Sequence, residues 1–238
     1  MAGSFKTEAV VLRSIRYGEA DRVLHLYSAD RGRIGAVAKG VRRTRSRIGG
    51  RLEPTSRVKL VLHRGRGELA TVTAADTVHA HPRLRERRTS LECALHACDS
   101  VLRLLDSTEP NEAAYNLLCR ELALLDAEPA VATRGHALAF RAKLVLAAGF
   151  APELAVCASC GSPEDLTGFA PAAGGVVCIG CESGSFPFGA AAHAFLAGVL
   201  ARPLAEAPQA PDRALAQADR ALAETLEHHA HVRLRRVA

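Results

Sequence analysis

Hydrophobic residues in this chain change period once, near residue 80, and the two periods demand two kinds of secondary structure. Before that point the spacing is two. Glu8–Tyr17 predicts a first strand, Arg22–Tyr27 (RVLHLY) a second and Arg33–Lys39 a third. Arg57–His63 sets Val58, Leu60 and Leu62 against charged neighbours as a fourth strand, and Glu68–Ala74 predicts a fifth. Gly18-Glu19-Ala20-Asp21, Asp30-Arg31-Gly32 and Arg64-Gly65-Arg66-Gly67 supply turn chemistry between them. Five short strands in so short a segment suggest a small barrel or sandwich. The five-stranded oligonucleotide-binding barrel, the OB-fold, fits best, with a small SH3-like barrel as the rival.

After residue 80 the spacing becomes helical. Leu91, Ala94, Leu95, Cys98, Val101, Leu102 and Leu105 mark one helix. Ala114, Leu117, Leu118, Glu121, Leu122 and Leu125 mark a second, with Glu121 its polar exception. A third runs from Ala137 to Ala148 and stops at Gly149. Residues 152–190 are rich in Gly, Pro and Cys. Helical signal resumes at Ala191–Leu200 and over Asp212–Leu234. The fold class is therefore multidomain α+β: an OB-fold nucleic-acid-binding domain over residues 1–80, then an all-α domain over 83–238, interrupted at 152–190 by a cysteine module. Aromatic residues are only 4% of the chain and Trp is absent, so the cores must be built from Leu, Val and Ala.

Cys157-Ala-Ser-Cys160 is followed by seventeen residues and then Cys178-Ile-Gly-Cys181. Each CxxC turn aims two sulfurs at one point, and two such turns supply four soft ligands at tetrahedral corners. The expected cofactor is one structural Zn2+ per chain. Two reduced pairs without metal is the plain alternative. A catalytic zinc needs an open ligand position, which four cysteines would close. Cys93, Cys98 and Cys119 fall in helical stretches and are expected to be small buried hydrophobes.

Charge is distributed unevenly. Residues 1–82 hold 16 Lys and Arg against 7 Asp and Glu, whereas the remainder holds 15 against 18. No acid occurs between Asp30 and Glu53, a stretch containing Lys39, Arg42, Arg43, Arg45, Arg47 and Arg51. Gly49 and Gly50 suggest that this segment is flexible. Such a run repels itself unless an anion neutralises it, and phosphates fit guanidinium forks. A solvated surface loop is the bland alternative. The predicted contact is with nucleic acid and is mostly electrostatic. Tyr17, Tyr27 and Phe5 are the barrel's aromatics, and each is expected in the core rather than as a stacking platform.

Several chemistries find no foothold. There is no GxxxxGK[ST] phosphate loop, GxSxG, HExxH, GxGxxG or DxD pair. The reading is therefore a binding protein, not an enzyme, with no small-molecule substrate. His228, His229 and His231 suggest a solvated helix end. Met1 to Ser14 carries Lys6, Glu8 and Arg13 and is not a secretory signal. The uncharged stretch Ser183–Ala201 is broken by Gly and Pro, so it reads as a loop and a short buried helix rather than a membrane span. These readings place the protein in the cytoplasm.

Tyr17-Gly-Glu-Ala-Asp-Arg22, Val37-Ala-Lys-Gly-Val-Arg-Arg43 and Leu52-Glu-Pro54 are followed by Phe140–Leu146 and Gly149-Phe-Ala-Pro-Glu-Leu154. The two CxxC pairs come next, with Phe169–Gly175 between them. In this order the motifs resemble the RecO family of bacterial recombination mediators over most of the chain. The resemblance implies an oligonucleotide-binding barrel, a helical domain and an embedded zinc module. It implies binding of single- and double-stranded DNA, annealing of complementary strands, and help to RecR in loading RecA on DNA coated by single-strand-binding protein. It also implies a nucleoid-associated protein that grips the acidic C-terminal tail of single-strand-binding protein on the helical domain. Arg134, Arg141 and Lys143, flanking an apolar helix, are the candidates for that grip, with ordinary surface charge the alternative. The ending Glu227–Arg236 matches the family only loosely.

Overall fold

The computed structural model describes residues 3–44, 46, 48–65 and 67–237. Arg45 and Arg47 of the basic segment, and Arg66 of the third expected turn, lie outside the described residues. The chain divides into two compact units, Met1–Val131 and Ala132–Ala238.

The first unit begins with five strands: β1 (Gly3–Tyr17), β2 (Asp21–Ser28), β3 (Gly32–Ala38), β4 (Arg57–Arg64) and β5 (Ala70–His79). Their order is β1-β2-β3-β5-β4, and the sheet closes into a barrel. The length of β1 makes closure possible. Gly3–Val10 pairs with β4, while Ala9–Tyr17 pairs with β2. A register shift between Val11 and Arg13 bends the strand between its two partners. A short parallel contact, Ala36 to Ala70 and Val37 to Thr71, joins β3 to β5.

Strands β1 and β5 run beyond the expected segments. Gly3–Thr7 and Ala75–His79 lack apolar alternation, yet backbone pairing with β4 needs none. Inside the barrel lie Ala9, Val11, Leu24, Leu26, Ile34, Leu60, Leu62 and Val72, with Val41 and Leu52 from the β3–β4 segment. Aliphatic side chains of this size suit the narrow interior of a five-stranded barrel.

Helices α1 (Arg88–Leu104) and α2 (Glu112–Ala127) complete this unit, and α1 packs on both α2 and β1. Asn111 caps α2 by accepting the Ala114 N–H at 2.9 Å. Cys93 and Cys98 are buried, and Cys119 is half-buried. The polar exception on the α2 stripe, Glu121, is fully buried and accepts from the Cys93 thiol at 3.6 Å. His81 is buried where the barrel gives way to α1. It hydrogen-bonds the Thr55 carbonyl through Nδ1 at 2.9 Å, and burial lowers its pKa.

The second unit holds α3 (Arg134–Ala147), a small three-stranded sheet, α4 (Ala190–Ala201) and α5 (Asp212–His229). The three helices pack on one another. Thr133 caps α3 through the His136 N–H. Gly149 ends that helix in the left-handed region at φ +86°, as its position in the sequence predicts. The last helix stops before the expected Leu234. His231 adopts φ +54°, and the chain doubles back to bury Leu234 and Val237. Among the described residues, no helix is long and apolar enough to cross a membrane.

Candidate nucleic-acid interface and metal centre

Alternation along β1 puts Arg13, Ile15 and Tyr17 on the outer face of the barrel. Across the strands, Arg13 faces His25, which faces Gly35; Ile15 faces Val23, which faces Val37. Gly35 carries no side chain, and Leu69 lies where one would be: a Cβ there would sit 2.6 Å from the Leu69 Cδ2. Ile15, Tyr17 and Leu69 are all exposed, Tyr17 at 61%. The sequence reading placed Tyr17 in the core, and the structure corrects this. Tyr27 fulfils the core expectation, fully buried at the other end of the same outer face. There the α1–α2 loop lies against the sheet, with Ser107 accepting the Arg33 N–H. Phe5 is half-buried, with the Arg31 guanidinium 4.4 Å from its ring centre.

This open face therefore joins an apolar, aromatic strip to cations. Burial, then the Arg33 and Arg13 guanidiniums, lower the His25 pKa and favour its neutral form. Sequence reasoning missed Arg13, Ile15 and Tyr17 as a set. The available signal was that Ile and Tyr fall in phase with a charged residue, which marks a solvent-facing row.

The basic segment borders this face and is built more firmly than its two glycines suggest. Val41 and Leu52 plug into the barrel core. A 3-10 turn forms at Gly49–Arg51. Position 49 requires glycine, because a Cβ there would meet the Val41 carbonyl oxygen at 2.3 Å.

The cations divide by role. Arg42 donates to the Glu19 carbonyl at 3.0 Å, and Arg51 to the Ala75 carbonyl at 2.6 Å and to Asp76 at 3.2 Å. Lys39 and Arg43 are exposed, and their side chains are without ion-pair or hydrogen-bond partners among the described residues.

The four cysteines of the second unit converge. Cys157 and Cys160 occupy a tight turn in which the Gly161 N–H bonds the Cys157 carbonyl at 2.8 Å and Gly161 takes φ +77°. Strands β6 (Leu166–Ala170) and β7 (Gly175–Cys178) form the hairpin that delivers the second pair, and β8 (Phe186–Pro187) flanks β6. All four sulfurs lie within 4.8 Å of one another, and those of Cys160 and Cys178 are 3.7 Å apart.

A zinc ion with sulfurs at about 2.3 Å in a tetrahedron places them about 3.8 Å from each other, so the spacing fits. The local charge balance fits as well. Backbone N–H groups lower the Cys157 thiol to about 6, while sulfur neighbours, Cys160 first, push Cys181 up to about 12. Four thiolates crowd together stably only around a cation. Among the described residues this is the one group of three or more His, Cys, Asp or Glu side chains with metal-ligating spacing. His228, His229 and His231 are exposed, and they do not form such a group.

The three helical-unit cations are placed differently from one another. Arg141 is buried at 3% exposure and is ion-paired to Asp219, with a second bond to the Arg235 carbonyl. It is a core cation, not a surface one. Lys143 is half-buried, and burial lowers its pKa. Arg134 lines a cavity of about 480 Å³ whose wall mixes Arg220, Arg233 and Arg236 with Asp219, Glu224 and Glu227 beside Leu234 and Val237. Its buried Nε has no hydrogen-bond partner among the described residues.

Two family models match the chain. The N-terminal model of recombination protein O covers residues 1–81, and the C-terminal model covers residues 85–237. A protein of Rubrobacter xylanophilus named DNA repair protein RecO is 41% identical over 212 residues, 85% of this chain and 83% of that protein. Proteins of the same name from Anaeromyxobacter dehalogenans and Thermobifida fusca are 36% and 37% identical. They cover 96% and 82% of this chain, and 92% and 81% of their own lengths.

Proposed function

The chain belongs to the RecO family of DNA repair proteins, and from that premise we propose that it binds DNA through its barrel and anneals complementary strands. The observation that carries this reading is the open face of β1, β2 and β3, where Tyr17 and Ile15 stand beside Arg13, with Lys39 and Arg43 at the border. The strand order supports an oligonucleotide-binding barrel, in which the face of the second and third strands takes the ligand. Bases stack on an aromatic ring whatever their identity, and guanidinium and ammonium groups take the phosphates. Binding of this kind is tolerant of sequence. It lowers the repulsion between two strands, so annealing needs no catalytic residue and no nucleotide hydrolysis. The protein then acts as a mediator rather than an enzyme, working beside RecR to load RecA, within the cytoplasm and at the nucleoid.

Cys157, Cys160, Cys178 and Cys181 would hold one Zn2+ as a closed structural site, and the ion would supply folding energy to the module rather than chemistry. A partner site is supported by the cavity at Arg134. Of its four arginines, Arg220 and Arg233 are ion-paired to Glu224 and Glu227 of the same lining, and Arg134 and Arg236 beside Leu234 and Val237 are the cations left to suit an acidic peptide with an apolar end, the chemistry of the tail of single-strand-binding protein. Arg134 lines this cavity, whereas Arg141 and Lys143 do not.

The test is annealing of arbitrary complementary strands by the full-length protein. The wild type is expected to accelerate annealing without nucleotide. Tyr17→Ala is expected to weaken single-strand binding by about 1 kcal/mol or more and to slow annealing in proportion. A wild type that leaves the spontaneous annealing rate unchanged would contradict the proposal.

A further inference from the structure

Three sequence motifs far apart in the chain meet around one turn. Asp21, at the start of β2, accepts the Gly40 N–H at 2.7 Å. Gly40 follows β3 and takes φ +64°, a conformation that L side chains rarely adopt. The turn closes as the Arg43 N–H bonds the Gly40 carbonyl at 3.1 Å. The Arg42 N–H bonds the Ala20 carbonyl at 2.9 Å, and its guanidinium reaches the Glu19 carbonyl. A Cβ on Gly40 would lie 3.7 Å from the Arg43 Cδ, so the Arg43 stem runs over this glycine. One residue beyond Asp21, Arg22 bridges to Glu53 at 2.7 Å and ties down the far end of the same segment. Lys39, Arg42 and Arg43 thus all lie within three residues of a turn whose first N–H is held by a single carboxylate.

Charge alone gives Asp21 no place here. A carboxylate beside three cations repels phosphate and lowers the local positive potential. Geometry gives it one. Arginine and lysine side chains on an unfixed loop lose chain entropy when an anion orders them, and a loop ordered in advance avoids that loss.

We propose that Asp21 is a positioning residue, whose bond to the Gly40 N–H, with Arg42 anchored on the Glu19 carbonyl, presents Lys39 and Arg43 as a preformed cradle for backbone phosphates. The inference rests on the reading that the barrel binds nucleic acid.

Two substitutions separate geometry from charge. Asp21→Asn and Asp21→Ala remove the same negative charge, but asparagine keeps a carbonyl oxygen able to accept the Gly40 N–H. Binding of full-length protein to a labelled oligothymidine is measured at one fixed ionic strength, with folding checked by thermal unfolding. If charge alone matters, both variants tighten binding equally. The cradle requires Asp21→Ala to bind roughly five- to tenfold more weakly than Asp21→Asn. Gly40→Ala keeps the N–H but strains its φ, and it is expected to weaken binding similarly relative to wild type. It decides the matter if Asp21→Ala does not fold. Equal affinities for the two Asp21 variants, or wild-type affinity in Gly40→Ala, would overturn the inference. A wild type that does not bind the oligothymidine would instead remove the underlying DNA-binding reading, and the cradle with it.

Discussion

The barrel and the cysteine module are both small β structures, but they are held together by different means. In the barrel, five strands close on themselves and enclose a cluster of fifteen buried apolar residues. In the module, three short strands divide their buried residues between two small clusters. Phe169, Val176, Phe186 and Phe188 are buried, with the Phe169 ring 5.6 Å from that of Phe186 and 5.3 Å from that of Phe188. The other cluster is Cys157, Ala170 and Val177, with Cys178, Cys181 and Leu166 packed against it, and there the sulfurs take the place of apolar volume. Apolar volume stabilises a sheet where closure or layering hides it from water, and metal ligation can add to it where a sheet is this small. The electrostatics divide along the same line. Residues 1–82 carry the excess of cations, and the remainder has more acids than bases. The proposed DNA contact and the proposed metal bracing therefore fall in different parts of the chain, and on this reading either can be broken without the other.

The largest effect is expected at the module. Cys178→Ser, or a strong chelator acting on the wild type, should release stoichiometric zinc and lower the unfolding midpoint of the second unit by roughly 10 °C or more. DNA affinity measured below that midpoint should stay within about twofold. Metal analysis and calorimetry read the first result, and fluorescence anisotropy reads the second. A large loss of affinity in the folded variant would join what the comparison separates.

A smaller effect belongs to the first unit alone. His81 is buried beside His79, Arg85 and Asp126, and burial lowers its pKa. Below the ordinary histidine value of about 6.5, the unfolded chain takes up a proton that folded His81 resists. The unfolded state then binds more protons, so stability falls as pH drops below that value and is flat above it. The slope cannot exceed about 1.4 kcal/mol per pH unit for one group. Urea unfolding of wild type and His81→Gln at neutral and mildly acidic pH should show the decline shrinking in the variant. An equal decline in both would assign the effect to other groups.

What the sequence revealed about these regions follows from the range of the interactions involved. The CxxC pairs were legible because each turn is local and the hairpin between them is short. The strands were legible from alternation, but barrel closure depends on the register shift between Val11 and Arg13, which no periodicity records. Arg141 looked like a surface cation beside an apolar stripe because its partner, Asp219, lies 78 residues away. Tyr17 looked like core because a barrel aromatic is more often core than stacking platform, and it is exposed because its strand phase matches Arg13. The flexibility suggested by Gly49 and Gly50 gave way to a turn in which Gly49 serves close packing against Val41.

The most direct measurement of the division between barrel and module is a salt series of DNA binding, run on wild type and on Cys178→Ser. If all six cations from Lys39 to Arg51 engage phosphates, Arg42 and Arg51 in exchange for their present partners, the log–log slope is roughly −4 to −5. The account expects that slope in both proteins. A flat response in the wild type, or a slope that collapses when the zinc ligand is removed, would contradict it.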